Sequence, residues 1–346
     1  MIDQYIREFP ETHNEPRVMV MSRWYHTWPR GQSWAHAYHP WATVAALPFP
    51  KELLAPETEQ QARALYEQLI LYFEPDLLHL GAAYHGDRYL SFDFLRRFKE
   101  EDPTRRIVVR RGENNIGKVC YDLVPLVDVL YVGAVDFIRE LQEAIGCRNV
   151  KFLPAGVDPT IDYPIDVEKQ IDLLFLGNHG ASKQSRSDVL IKLDKEFEDL
   201  WIGGHGWGRV DLRHRFIGAY KGDFKRWVSR AKISLCLMPD EHMHLEMYQT
   251  GRVVQSLGTR TFVLTSYTPG TEKLFTRKVH LDWYTGYEEL VDLIHYWLEH
   301  DEEREQVAQQ GYEHVLKNYT LTQFAGQVLR DVGLIDEAGK YTCLTK

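Results

Sequence analysis

Ile171-Asp-Leu-Leu-Phe-Leu-Gly-Asn-His-Gly180 opens the second half of the chain with a six-residue run, apolar but for Asp172, that leads straight into a glycine turn. A run this short, without polar alternation, reads as a strand buried on both faces, and such strands belong to parallel sheets covered by helices. Helical spacing over residues 187–197 follows. A glycine turn between a strand and a helix lets backbone N–H groups approach a phosphate, helped by the helix dipole. Gly177, Asn178 and Arg186 are therefore candidate contacts, with Ser182 and Lys183 as further donors, although an ordinary strand-to-helix turn fits the same residues.

Working outward, the alternation repeats on both sides. Downstream, residues 200–203, 232–238, 261–265 and 279–281 read as strands, and 187–197, 223–229, 245–256 and 287–299 as helices. Thr285-Gly-Tyr-Glu288 and Thr320-Leu-Thr-Gln323 have the form of capping boxes. Residues 301–332 read as continuously helical. Upstream, residues 17–21, 76–80, 106–109, 128–132 and 150–153 read as strands and 57–73, 89–98 and 135–145 as helices, with Met1 to Pro16 a polar arm. Pro154-Ala-Gly-Val-Asp-Pro159 separates the two series and suits a hinge. The expected class is α/β, with two Rossmann-like doubly wound domains facing across a cleft. Residues 1–158 form the first domain and 159–320 the second, and 321–346 a terminal helix and tail, for which a return to the first domain is left open.

Composition narrows the function. The 346 residues are 44% hydrophobic and 26% charged, ordinary for a globular protein, and no run is long enough for a membrane span. With no signal-peptide pattern either, the expectation is a cytoplasmic protein. Cys120, Cys147, Cys236 and Cys343 are widely spaced, which argues against a disulfide framework or a zinc site. A net charge of −9 disfavours general polyanion binding, although arginines cluster at 105–111 and basic residues at 209–232. Gly203-Gly-His-Gly-Trp-Gly208 has the wrong spacing for a dinucleotide fingerprint, and a loop near a nucleotide base is the better reading. Asp240-Glu-His-Met-His-Leu-Glu246 is rich in metal-ligand types, yet its default reading is a polar loop, so no metal is expected.

Arg252-Val-Val-Gln-Ser-Leu-Gly-Thr-Arg-Thr-Phe-Val-Leu-Thr265, followed by Ser-Tyr-Thr-Pro-Gly270, resembles the CgeB-like branch of group 1 glycosyltransferases. There an Arg-x-Phe-Glu-Ala-Leu-Ala-Cys-Gly pattern precedes an apolar strand. Further landmarks in the same order are Leu153-Pro-Ala-Gly-Val-Asp-Pro159, Asp172-Leu-Leu-Phe-Leu-Gly177, Ala231-Lys-Ile-Ser-Leu235 and Asn318-Tyr-Thr320, so the resemblance covers most of residues 150–330. It implies a GT-B glycosyltransferase that uses a nucleotide-sugar, a UDP-sugar above all, as co-substrate without a cofactor. It places Arg252 near the donor diphosphate. Gln255 stands where the family has a ribose-binding glutamate, and Arg260 where it has glycine. Thr268 and Gly270 complete the expected donor set.

The acceptor side falls to the first domain. His26 and Trp28 follow the first strand, His85 and Asp87 the second, and Arg111 and Glu113 the third. His26, Trp28 and Arg111 are expected to bind the acceptor. Asp87 is the favoured general base, with Glu113 and His85 as alternatives. The acceptor itself stays open between a glycan, a protein, a small molecule and a hydroxylated DNA base. A binding or scaffold protein that kept the fold and lost catalysis is the reading from another class.

Overall fold

The computed structural model describes residues 7–8, 15–22, 33–48, 59–81, 90–111, 117–180, 184–212, 215–216, 218 and 224–342. The chain divides into two compact units, one of residues 1–154 with 321–346 and the other of residues 155–320.

The first unit is built on a seven-stranded sheet. Its strands are β1 (Arg7–Glu8), β2 (Arg17–Ser22), β3 (Thr43–Pro48), β4 (Leu77–Leu80), β5 (Arg106–Arg111), β6 (Val129–Val132) and β7 (Val150–Phe152), in the order β1-β3-β2-β4-β5-β6-β7. All neighbours are parallel except β1, which pairs antiparallel with β3. Two of these strands correct the sequence reading. Residues 7–8 form a short edge strand inside what reads as a polar arm. Thr43-Val-Ala-Ala-Leu-Pro48 lies in the sheet although its alanines and terminal proline have low strand propensity, because β2 supplies a full ladder beside it.

Helices α1 (Ser33–Tyr38), α2 (Glu59–Phe73), α3 (Phe92–Glu101), α4 (Gly117–Leu123) and α5 (Val135–Ile145) connect these strands. Ser91 caps α3, its hydroxyl accepting from the Phe94 amide at 3.0 Å. Leu77, Leu78, Leu80, Ile107, Val108, Val109 and Leu130 are fully buried, as continuous apolar strands between two helical layers require.

The second unit carries six parallel strands: β8 (Ile171–Leu176), β9 (Leu200–Gly203), β10 (Arg215–Phe216), β11 (Ala231–Cys236), β12 (Phe262–Ser266) and β13 (Asp282–Tyr284). Their order is β10-β9-β8-β11-β12-β13. The chain runs outward from β8 to β10 and then returns to the other side of β8. The topological switch point, where open α/β sheets bind ligands, therefore lies between β8 and β11. Among the connecting helices are α6 (Gln184–Glu196), α7 (Phe224–Ser229), α8 (Gly251–Gly258), α9 (Thr271–Leu274), α10 (Tyr287–Glu299) and α11 (Asp301–Asn318). Leu173, Phe175 and Ile202 pack with Leu190 and Leu193 of α6 and Ile294 and Trp297 of α10 on one face. On the other face Leu174 and Leu176 meet Phe224 and Val228 of α7.

Three local readings shift. The helix expected over 245–256 begins only at Gly251, because Met247 takes a left-handed φ of 61° that no helix accommodates. The strand expected at 279–281 lies three residues later, over Asp282–Tyr284. At the start of α10 the carboxylate that reaches back belongs to Glu289 rather than Glu288, accepting from the Thr285 amide at 2.8 Å and its hydroxyl at 2.7 Å.

The helical stretch over 301–332 is also two helices, broken at Tyr319–Thr320. The second of them, α12 (Leu321–Asp331), belongs to the first unit. Asp331 accepts from the Tyr131 hydroxyl at 2.7 Å and from Lys151 at 2.6 Å, and Trp41 donates to the Thr322 carbonyl at 3.3 Å. Gly326 is in helical conformation and leaves room for the Trp41 ring, which an added Cβ would meet at 3.1 Å.

Candidate functional site

Two glycine turns interlock at the carboxyl ends of β8 and β9. The Gly177 amide donates to the Gly203 carbonyl at 2.8 Å and the His179 amide to the His205 carbonyl at 2.8 Å. Gly204, at a φ of 137°, packs so closely that a Cβ there would lie 2.2 Å from the Gly177 oxygen. The segment at 203–208 thus serves as a buttress for the Gly177 turn. The buried Trp207 indole donates to the Gly177 carbonyl at 2.6 Å. Across a trans peptide the amide of Asn178 points the opposite way, and it has no acceptor among the described residues. Asn178 is exposed at this turn, whereas the Gly177 amide is taken up by the Gly203 carbonyl.

Arg252 lies in the first turn of α8 and reaches across the switch point. Its guanidinium donates to the Leu176 carbonyl at the end of β8 at 2.8 Å, and to the Leu237 carbonyl just past β11 at 3.3 Å. It is half-buried, and among the described residues no carboxylate forms an ion pair with it. The simplest structural alternative, a pair with Glu246, is not what is found: Glu246 accepts from Lys273 at 2.7 Å. Among the described residues the hydrogen bonds of Arg252 go to main-chain carbonyls, which carry no formal charge to neutralise it. Burial pushes the neighbouring Cys236 thiol up, with the Arg252 charge pulling the other way.

Arg186, in the first turn of α6, is buried and donates to the Asn178 carbonyl. It also lines a cavity of about 160 Å³ together with Leu237, Met238, Ser266, Tyr284 and Tyr287. Inside, the Ser266 hydroxyl accepts from the Met238 amide at 3.0 Å and pairs with the Tyr284 hydroxyl at 2.8 Å. Gly177, Asn178, Arg186 and Arg252 are thus one cluster. Gln255 lies one turn along α8 with its amide nitrogen folded back over Gly251, where a Cβ would meet it at 3.3 Å. Arg260 has a φ of 55°, the left-handed conformation that glycine adopts without strain.

Thr268 and Gly270 belong to the turn packed against residues 246–250. The Thr268 side chain is fully buried and donates to the Tyr248 carbonyl at 3.0 Å, while Gln249 donates to it at 3.2 Å and to Thr271 at 2.8 Å. Gly270, at a φ of 81°, lies against Met247, whose amide donates to the Pro269 carbonyl at 2.6 Å. This turn fixes residues 246–250, the lead-in to α8 and Arg252. Sequence reasoning passes over Phe175, Trp207, Gly204 and Gln249. Only Gly204 and Trp207 carry a local signal, in the glycine-rich motif that contains them.

On the acceptor side, His26, Trp28, His85, Asp87 and Glu113 lie outside the described residues. Arg111 is the last residue of β5 and is buried, 4% exposed. Among the described residues no group of three or more His, Cys, Asp or Glu side chains is placed to hold a metal, and no helix is long and apolar enough to cross a membrane.

No curated protein matches the chain. Several solved structures share its fold. A glycosyltransferase from Rickettsia africae superposes with a TM-score of 0.63 at 12% identity, covering 92% of this chain and 98% of that one. HepE from Anabaena, solved with UDP and glucose, gives 0.61 at 11% identity over 91% and 99% of the two chains. An alpha-glucosyltransferase solved with UDP and a 13-mer DNA containing an HMU base gives 0.61 at 11% identity over 91% and 98%. The two Rossmann-like domains are those of the GT-B fold. Residues 186–330, which include Arg186, Arg252 and Gln255, match the family described as Glycosyl transferase-like.

Proposed function

We propose that the protein is a metal-independent GT-B glycosyltransferase of the CgeB-like branch, acting in the cytoplasm on a UDP-sugar donor and needing no cofactor. The observation that carries this reading is Arg252. It is a guanidinium without a carboxylate partner among the described residues, held across the switch point by the Leu176 and Leu237 carbonyls beside the Asn178 amide. A departing nucleoside diphosphate gains negative charge as the anomeric bond breaks. A fixed cation and a main-chain amide stabilise that charge without reorganising at the moment of reaction. A cation supplied by the chain itself can do what a divalent ion does in other transferases. The neighbouring HepE, solved with UDP-glucose, agrees with the choice of donor.

Residues 1–158 are assigned to the acceptor and 159–320 to the donor. The general base that takes the proton from the acceptor hydroxyl is Asp87, with Glu113 and His85 as alternatives, and His26, Trp28 and Arg111 bind the acceptor. Calorimetry of the full chain against a panel of nucleotide sugars tests the reading. A glycosyltransferase binds at least one and releases UDP from it slowly without acceptor. A protein that binds none is a scaffold that retains only the fold.

A further inference from the structure

Phe175, the penultimate residue of β8, is fully buried, and two guanidinium groups lie over its one ring. The carbons of Arg252 and of Arg186 at the centre of each group are both 5.1 Å from the ring centroid. Like charges brought this close repel, and the electron-rich face of an aromatic ring offsets part of that repulsion. The ring is itself held in orientation: Trp207 meets it edge-on, with centroids 6.1 Å apart and planes at 79°. Gly177 leaves the space that makes the contact possible. A Cβ at that position would lie 2.2 Å from Arg252 Nη1 and 2.8 Å from the Phe175 ring. One ring therefore connects the arginine that bridges the strand ends to the arginine that holds the Asn178 carbonyl.

We infer that Phe175 is a positioning residue for the donor site, its ring keeping Arg252 aimed at the diphosphate while Arg186 fixes the turn that presents the Asn178 amide. This rests on the donor reading above and adds to it the element that sets the cation in place. Two main-chain hydrogen bonds, one of them at 3.3 Å, leave the guanidinium free to swing, and the ring contact removes that freedom. The ligand class that suits a fixed cation, a nearby second cation and a main-chain amide is a nucleoside diphosphate, with charge on adjacent phosphates.

The test is UDP binding by the full chain, measured by calorimetry on wild-type, Phe175→Met, Phe175→Tyr, Arg252→Ala and the Phe175→Met/Arg252→Ala double variant, with thermal unfolding in parallel. Methionine keeps the volume and removes the aromatic face. Phe175→Met is expected to weaken UDP about tenfold, as loss of a desolvated cation–π contact implies. Phe175→Tyr should retain wild-type affinity, and Phe175→Met should add nothing once Arg252 is alanine. Stepwise fluorination of the Phe175 ring drains its π-density while keeping its shape, and carries the test if Phe175→Met does not fold. UDP affinity should then fall with each fluorine. Unchanged affinity in Phe175→Met or the fluorinated proteins, or an equal loss with and without Arg252, overturns the role of Phe175 and leaves the donor site standing. Wild-type protein that binds no UDP overturns both.

Discussion

The Arg252 guanidinium donates to the Leu176 carbonyl at 2.8 Å, so a side chain from α8 closes over the end of β8. The geometry depends on residue 177 having no side chain, since a Cβ there would lie 2.2 Å from Arg252 Nη1. Gly177→Ala is expected to displace the guanidinium, at a stability cost of about 1–3 kcal/mol from overpacking. UDP affinity should drop by at least about tenfold, the factor that corresponds to roughly 1.4 kcal/mol of lost interaction. Calorimetry beside denaturant unfolding separates the two effects.

Arg260 occupies an exposed position at a φ of 55°. A side chain in this region costs about 1–2 kcal/mol, and glycine removes that cost while adding some freedom to the unfolded chain. Arg260→Gly is expected to stabilise the protein by about 0.5–1 kcal/mol in chemical denaturation. UDP affinity should not change, because Arg260 stands at the far end of α8 from Arg252.

Asp331 ties the last helix to the first unit through Tyr131 and Lys151. Asp331→Ala leaves the hydroxyl of the buried Tyr131 without its acceptor, and is expected to cost about 1–3 kcal/mol. Hydrogen exchange should quicken across Leu321–Asp331, with the strands of the second unit unaffected.

His79 gives the first unit a distinctive response to acid. Burial, with the Arg110 charge adding to it, holds its imidazole neutral down to about 3. The ring accepts from or donates to the Tyr38 hydroxyl at 2.8 Å and lies 4.6 Å from the Trp34 ring centroid. In the unfolded chain the same group titrates near the ordinary value of 6.5. Between about 6.5 and 3 the unfolded state therefore binds a proton that the folded state does not. Stability from this group is full above 6.5 and falls steadily as the pH drops through that window. Thermal unfolding from pH 7 to pH 4 should show a shallower decline in His79→Phe than in wild-type. Parallel declines would contradict this assignment.

The buried strands were legible because Leu173–Leu176, Ile107–Val109 and Val129–Val132 are short apolar runs of the kind found inside a covered sheet. Thr43–Pro48 was not, since its place depends on the ladder offered by β2 rather than on its own residues. Leu245-Glu-Met-Tyr-Gln249 has helical spacing, yet the hydrogen bond from Met247 to Pro269 and those from Gln249 to Thr268 and Thr271 bend it out of a helix. These partners lie some twenty residues away and leave no mark on local periodicity. Arg252 stood out because it sits in a motif. Phe175 did not, because a phenylalanine in an apolar strand looks like any other core residue until the two arginines that meet it are seen.

The most direct test of the account is acceptor-free release of UDP from a UDP-sugar by wild-type protein and by Arg252→Ala. A cation that stabilises the departing diphosphate predicts a loss of about 100-fold or more in the variant, comparable to removing a preorganised oxyanion donor. Equal rates in the two proteins would contradict the account, because the charge on the leaving group would then be stabilised from elsewhere.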